Sequence, residues 1–152
     1  MLPNITIKIL KKEGKDMKLL MIYADRFAYK TSKKTLEIVE EYEEEKQIED
    51  VLVGFIQVEK EDEEKIDKVE TKLIKNLKWA AKKNDTNNIL LHSFAHLSLS
   101  KAEPEITKTI FNNAQKRLED AGYKTWQTPF GYFLDLDLKA PGKSLARVFK
   151  EF

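Results

Sequence analysis

Two apolar runs on either side of one long amphipathic stretch constrain this chain more than anything else in it. Val51-Leu52-Val53-Gly54-Phe55-Ile56-Gln57-Val58 is rich in β-branched and aromatic residues, and Asn88-Ile89-Leu90-Leu91 is short and apolar. Both read as strands. Between them Ile66, Val69, Leu73, Ile74, Leu77 and Ala80 or Ala81 recur at three- and four-residue spacing, giving a helix with one buried stripe that ends near Lys82-Lys83-Asn84. The order repeats. Ile106, Ile110, Ala114 and Leu118 mark a second helix, begun at Pro104 and stopped at Gly122, and Tyr123 to Gln127 follows as a strand. Two strand-helix-strand units joined by additional antiparallel strands predict an α/β or α+β single domain, a mixed β-sheet with helices packed on it.

The rest of the chain fits round that frame. Met17 to Asp25 is a nearly continuous apolar run, suited to a strand covered on both faces, with Asp25 at its carboxyl end. That aspartate is a candidate functional side chain or a turn residue. Arg26 to Tyr29 reads as a further strand and Ser32 to Lys34 as a turn. The glutamates of Glu37 to Lys46 read as a solvated helix face or loop, and Gly54 as a bulge or a close approach of another backbone. Trp79 reads as a core anchor. Tyr132 to Leu138 alternates, placing Leu134, Leu136 and Leu138 on one face. Ser144 to Phe152 reads as a short closing helix. Residues 1–16 form an amino-terminal arm or edge strand ahead of the domain at 17–152; the alternation from Ile5 to Leu10 could pair with a neighbour's sheet edge and make a homodimer.

Composition excludes several chemistries. The chain has no Cys and only two His, His92 and His96, so thiolate catalysis, disulfides and multi-histidine or Cys-based metal sites are out of reach. Charged residues make up 35%, yet the net charge is +1, so any attraction for nucleic acid must be local. No apolar run approaches the roughly 20 residues that span a bilayer, and no signal-peptide pattern opens the chain. A cytoplasmic protein without a membrane partner is the expectation. No motif supports ATP, metal or redox cofactors, and none is expected.

Two stretches stand where an open sheet presents side chains to a ligand. Ser93-Phe94-Ala95-His96-Leu97-Ser98 follows the strand at Asn88–Leu91, and Thr128-Pro129-Phe130-Gly131-Tyr132-Phe133 follows the strand ending at Gln127. Alone, a His after a strand, as His96 is, is more often a packed or surface residue with no chemistry. Together, in this order and behind Val51–Lys60 and a strand ending in Asp25, the Phe-Ala-His-Leu-Ser and Pro-Phe-Gly-Tyr pieces resemble the archaeal threonyl-tRNA synthetase editing domain. The resemblance runs from Met17 onward.

That resemblance implies a D-aminoacyl-tRNA deacylase-like fold and a substrate class: aminoacyl-tRNA, with serine wrongly attached to threonine tRNA hydrolysed at its ester. The expected partners are the aminoacylated 3′ end of tRNA and a synthetase catalytic module. Serine and threonine differ by one methyl, worth only about 1–3 kcal/mol of discrimination in a pocket, so a second, hydrolytic site is the usual remedy. The resemblance implies His96 and Asp25 as catalytic residues, with Phe94, Ala95, Tyr132, Phe133 and Leu134 as substrate-binding residues. Lys139, Lys143, Arg147 and Lys150 form a basic cluster suited to tRNA phosphates, the last three at helical spacing. The chain departs from the family's pattern at several points. A tyrosine and a functional lysine usually follow the Pro-Phe-Gly turn; here Phe133 and Leu134 stand there. A Cys-Lys-Gly-His-Pro-Leu-x-Glu-Leu stretch is replaced by Ala140 to Val148, with Arg147 for the glutamate, and His-Ser-Asp is replaced by Tyr23-Ala24-Asp25. Lys143 or Arg147 would then stand in for the missing cation. The alternative is a catalytically inactive tRNA-binding or accessory module of the same fold.

Overall fold

The computed structural model describes residues 16–41, 43–94 and 101–152. Among the described residues, six strands and two α-helices follow one another as β1 (Lys18–Lys34), β2 (Glu45–Gln57), α1 (Ile66–Lys83), β3 (Asn88–Ser93), α2 (Pro104–Asp120), β4 (Lys124–Gln127), β5 (Tyr132–Lys139) and β6 (Arg147–Glu151). They form one mixed sheet ordered β4-β3-β2-β1-β5, with β6 pairing the same strand β1. Strands β2, β3 and β4 are parallel, whereas β1 runs antiparallel to β2, β5 and β6. Each parallel step is crossed by a helix, which is how parallel neighbours must be joined.

Both helices cover one face. Val69, Leu73 and Leu77 of α1 and Ile110, Ala114 and Leu118 of α2 pack with Leu19, Met21, Leu52, Ile56, Ile89 and Leu91 of the sheet in one buried cluster. The two predicted stripes are therefore the two buried stripes. On the opposite face a second cluster gathers Phe27, Tyr29, Val51, Val53, Phe55 and Leu90, with Leu134 and Leu138 of β5 packed against it. Gly54 keeps an unbroken register with both neighbours, so it is neither a bulge nor a backbone approach. It makes room for a side chain: a Cβ there would lie 2.9 Å from Cδ2 of Leu77.

Strand β1 corrects three expectations. It is one strand of 17 residues rather than two, and Ser32 to Lys34 belongs to it; the turn comes after Lys34. Asp25 stands in its middle, exposed, not at its carboxyl end. Side chains at 20, 22 and 24 face the second cluster, and so do those at 27 and 29. The odd step falls at Asp25, opposite Asp50, which takes a left-handed φ of 52°. The first part of β1 pairs with β6 and the second with β5.

Two further expectations change. Ser144 to Phe152 is no helix: a 3-10 turn at Ser144–Ala146 leads into β6, because the free edge of β1 at Lys18–Ile22 offers five pairing positions. Arg147 and Lys150, an odd number of strand positions apart, then face opposite sides of the sheet. Trp79 is not a core anchor; it is 38% exposed, with Lys150 Nζ 5.7 Å from the centre of its ring. The charged stretch Glu59 to Glu64 is a 3-10 turn that buries Glu59 and Asp62. The glutamate-rich stretch is a mostly exposed loop up to Glu44, and Glu45 and Lys46 already belong to β2. The arm expected at residues 1–16 lies, but for Asp16, outside the described residues.

Candidate functional site

A cavity of about 370 Å³ opens at the carboxyl ends of β2 and β3, within the ~300–1,000 Å³ common for small-ligand sites and in the place an open sheet favours. Its floor is the ends of those strands, with Ile56, Gln57, His92 and Ser93 among the lining residues. Phe94 donates its N–H to the Ile56 carbonyl and Ala102 to that of Val58, both at 2.9 Å, so the chain leaves β2 and returns to it on either side of 95–100. Phe94, Lys101 and Ala102 all line the cavity.

The opposite lip is the turn Pro129-Phe130-Gly131-Tyr132, followed by Phe133, Leu134 and Leu136 of β5. Gly131 has φ 86°, and a Cβ on it would meet Cγ1 of Val39 at 2.8 Å. Only glycine fits there. The turn is held from outside: Thr35 donates its N–H to the Gly131 carbonyl, and the Tyr132 hydroxyl donates to the Glu40 carbonyl.

His92 is the titratable group in the cavity's floor. It is buried, edge-on to Phe55 with ring centres 5.2 Å apart and within 6.1 Å of Phe94, and its Nδ1 shares a 2.8 Å hydrogen bond with Thr128 Oγ1. Burial pushes its pKa down to about 4, so the ring is neutral at pH 7. A neutral imidazole with Nδ1 engaged has Nε2 left to offer, as donor or acceptor according to the tautomer. The charge picture is sparse. Lys101 is the one Lys, Arg, Asp or Glu among the described lining residues, and no three acidic or histidine side chains converge as a metal site among the described residues.

The family model for the Archaea-specific editing domain of threonyl-tRNA synthetase matches residues 17–152. The chain belongs to that family. It is 34% identical over 135 residues to the threonine–tRNA ligase of Methanosphaera stadtmanae and 32% identical over 135 residues to that of Pyrococcus furiosus, covering 87% of this chain in each case. The aligned part spans only 22% of the length of those curated relatives. Among solved structures, the c-Myc DNA Unwinding Element Binding Protein is similar with a TM-score of 0.59 at 14% identity, covering 89% of this chain and 97% of that one. At that identity the likeness speaks for the fold alone, and it agrees with the mixed sheet and D-aminoacyl-tRNA deacylase-like architecture.

Within this editing domain, the expected substrate-binding residues Phe94, Tyr132, Phe133 and Leu134 come together round one cavity although 37 positions separate Phe94 from Gly131. Ala95 and His96 fall at 95–100, outside the described residues. Asp25 does not line the cavity. Nor do the basic candidates: Lys143 Nζ lies 5.4 Å from the centre of the Tyr23 ring, Lys150 is over Trp79, and Lys139 and Arg147 are exposed on β5 and β6. The expected stand-ins for a cation at Leu134 are thus elsewhere, while Lys101 is in the cavity. Sequence reasoning missed both His92 and Lys101. The signal for His92 was its place one residue before the end of a buried strand; Lys101 carried none, sitting in a polar stretch like many others.

Proposed function

We propose that this editing domain binds the aminoacylated 3′-terminal adenosine of tRNA in the cavity and hydrolyses the ester of serine wrongly attached to threonine tRNA. The observation that carries this reading is the convergence of Phe94 and the Pro129–Tyr132 turn on one cavity at the carboxyl ends of parallel strands, in a chain of the editing-domain family. The apolar walls made by Phe94, Phe130 and Leu134 suit a base and ribose, while Ser93 and His92 offer polar atoms on the floor. Ester hydrolysis needs a positioned water, donors at the developing oxyanion and a route for a proton. His96 and main-chain N–H groups near it are the family's candidates for these tasks. His92, neutral at pH 7, serves to position rather than to ionise. The exposed Lys139, Lys143 and Arg147 offer cations to tRNA phosphates outside the cavity.

A second reading rests on one observation: Phe133 and Leu134 line the cavity without a hydroxyl or a charge. It makes the domain a tRNA-binding module that does not hydrolyse. Release of free amino acid from seryl- and threonyl-charged threonine tRNA separates the two. The first reading expects the serine ester to be cleaved faster than in buffer, and the double change Phe133→Tyr with Leu134→Lys to raise that rate. Salt-dependent tRNA binding with neither ester cleaved, in parent or double variant, leaves only the second.

A further inference from the structure

We propose that the exposed face of α1, with Lys150 of β6 and Arg117 of α2 beside it, is a docking surface for the phosphate backbone of a double-stranded RNA stem, the one that leads to the adenosine in the cavity. That the anion is RNA rests on the reading of the cavity as a tRNA site; the charge of the ridge does not. At about 100° per residue, Lys68, Lys72, Lys75, Trp79, Lys82 and Lys83 fall within an arc of about 100°, opposite the stripe of Val69, Leu73 and Leu77 that packs on the sheet. All six are exposed. A merely solvated helix face interleaves glutamate and lysine at three- and four-residue spacing. In α1 six lysines, Lys78 among them, stand against two carboxylates, in a chain whose net charge is +1. Neither carboxylate belongs to the arc: Glu70 is buried, accepting from Asn113 Nδ2 at 2.9 Å, and Asp67 lies round the helix from it. Among the described residues none of the six lysines forms an ion pair.

Two cations from other elements widen the ridge. Lys150 Nζ stands 5.7 Å from the centre of the Trp79 ring, so the exposed indole in the middle of the arc draws a cation of β6 to it. Arg117 reaches Thr71 Oγ1 of α1 with Nη1 and Nη2, each at 3.4 Å, and its Nη1, 4.0 Å from Glu70 Oε1, also faces the buried carboxylate. The apolar stripe of α1 is spent on the sheet, which leaves the outer face none to insert into a bilayer. Lys68, Lys72 and Lys75 rise about 4.5–6 Å per step along the axis, a regular row of cations suited to a regular row of phosphates. The course of the helix fits as well. It leaves the end of β2 and leads back to the start of β3, and since those strands are parallel it runs from the cavity's end of the sheet to the other. From Lys68 to Lys82 the ridge extends about 21 Å, a path for a stem whose 3′ end enters the cavity.

Binding of the 152-residue chain to unacylated threonine tRNA over a series of salt concentrations tests this. Lys72→Ala, Lys75→Ala and Lys82→Ala are combined in one variant; Lys30→Ala, Lys33→Ala and Lys46→Ala, equally exposed, make a control of the same charge. Each lost phosphate contact lowers the slope of log affinity against log salt by about 0.7–0.9. The α1 variant is therefore expected to show a slope smaller by about 2 and an affinity about tenfold or more lower at low salt, and the control to bind like the parent. An unchanged α1 variant, or equal losses in both, would overturn the docking surface. A polyglutamate of equal charge that displaces the tRNA as well as an RNA duplex does would assign the ridge to an acidic protein and overturn it too. An amide-linked analogue of 3′-seryl-adenosine, which has no stem, should bind parent and α1 variant alike; a matching loss there would mean that the substitutions disturb the cavity, which also contradicts the ridge. If the analogue binds neither protein but tRNA affinity still depends on the three lysines, the ridge stands and the cavity reading falls. If the analogue binds and the tRNA ignores the lysines, the cavity reading stands and the ridge falls.

Discussion

A buried imidazole and a buried carboxyl pull the pH dependence of this domain in opposite directions. His92 has its pKa pushed from 6.5 down to about 4 by burial. Its favourable contribution is present above 6.5 and is lost as pH falls toward about 4, because the unfolded chain takes a proton that the folded one refuses; the full gap is on the order of 3 kcal/mol. Asp62 is raised from 3.8 to about 6, chiefly by burial. Its contribution is present below about 4 and is lost as pH rises through about 6. Between pH 4 and 6.5 the two oppose each other. Asp62→Asn keeps an acceptor for the Glu59 N–H, which Asp62 Oδ2 receives at 2.8 Å, and removes the counterweight. Denaturant unfolding at a series of pH values should then show stability rising more steeply with pH in the variant than in the parent; equal slopes would contradict the account. The His92 ring protons should titrate near pH 4, and a midpoint near 6.5 would show the ring to be solvated. None of this could be read from residue types, since nothing in a stretch as charged as Glu59 to Glu64 marks Glu59 and Asp62 as the two carboxylates that are buried.

At the scale of elements, legibility followed how local the cause is. The stripes of α1 and α2 and the caps at Pro104 and Gly122 act within a few residues, and the helices stand where the periodicity put them. The closing segment failed for the opposite reason. Arg147-Val148-Phe149-Lys150-Glu151 has too few residues to show a period, and it is a strand because Lys18 to Ile22, some 130 positions away, leaves an edge to pair with. The break expected after Asp25 failed similarly: β1 continues through it, since pairing with β2 holds both halves. The Pro129–Tyr132 turn is the element whose chemistry was most open to sequence reading and whose support was least so, because Leu36 and Val39, which pack against Gly131, come from a distant loop. Gly131→Ala combines an unfavourable left-handed φ with contact on Val39. It should cost about 1–3 kcal/mol in thermal or denaturant unfolding and weaken ligand binding through the displaced lip. An unchanged midpoint would mean that the turn tolerates a side chain.

At the scale of the whole molecule, one curled sheet separates two tasks. The helices and one face make the larger core, while the strand ends, the returning segment at Lys101 and Ala102, and the turn before β5 meet round a cavity. The family resemblance named four of the lining residues from the sequence. It could not place them relative to Asp25 or the basic cluster, because only the folded sheet shows that Lys143 and Arg147 lie along another edge. The central claim is that this cavity receives the aminoacylated adenosine. An amide-linked, non-hydrolysable analogue of 3′-seryl-adenosine, titrated into isotopically labelled protein, tests it most directly. The account predicts saturable amide shifts at Ser93, Phe94 and Phe130 to Leu134, with Arg147 to Glu151 unmoved; shifts confined to β6 or the basic cluster, or none at all, would contradict it.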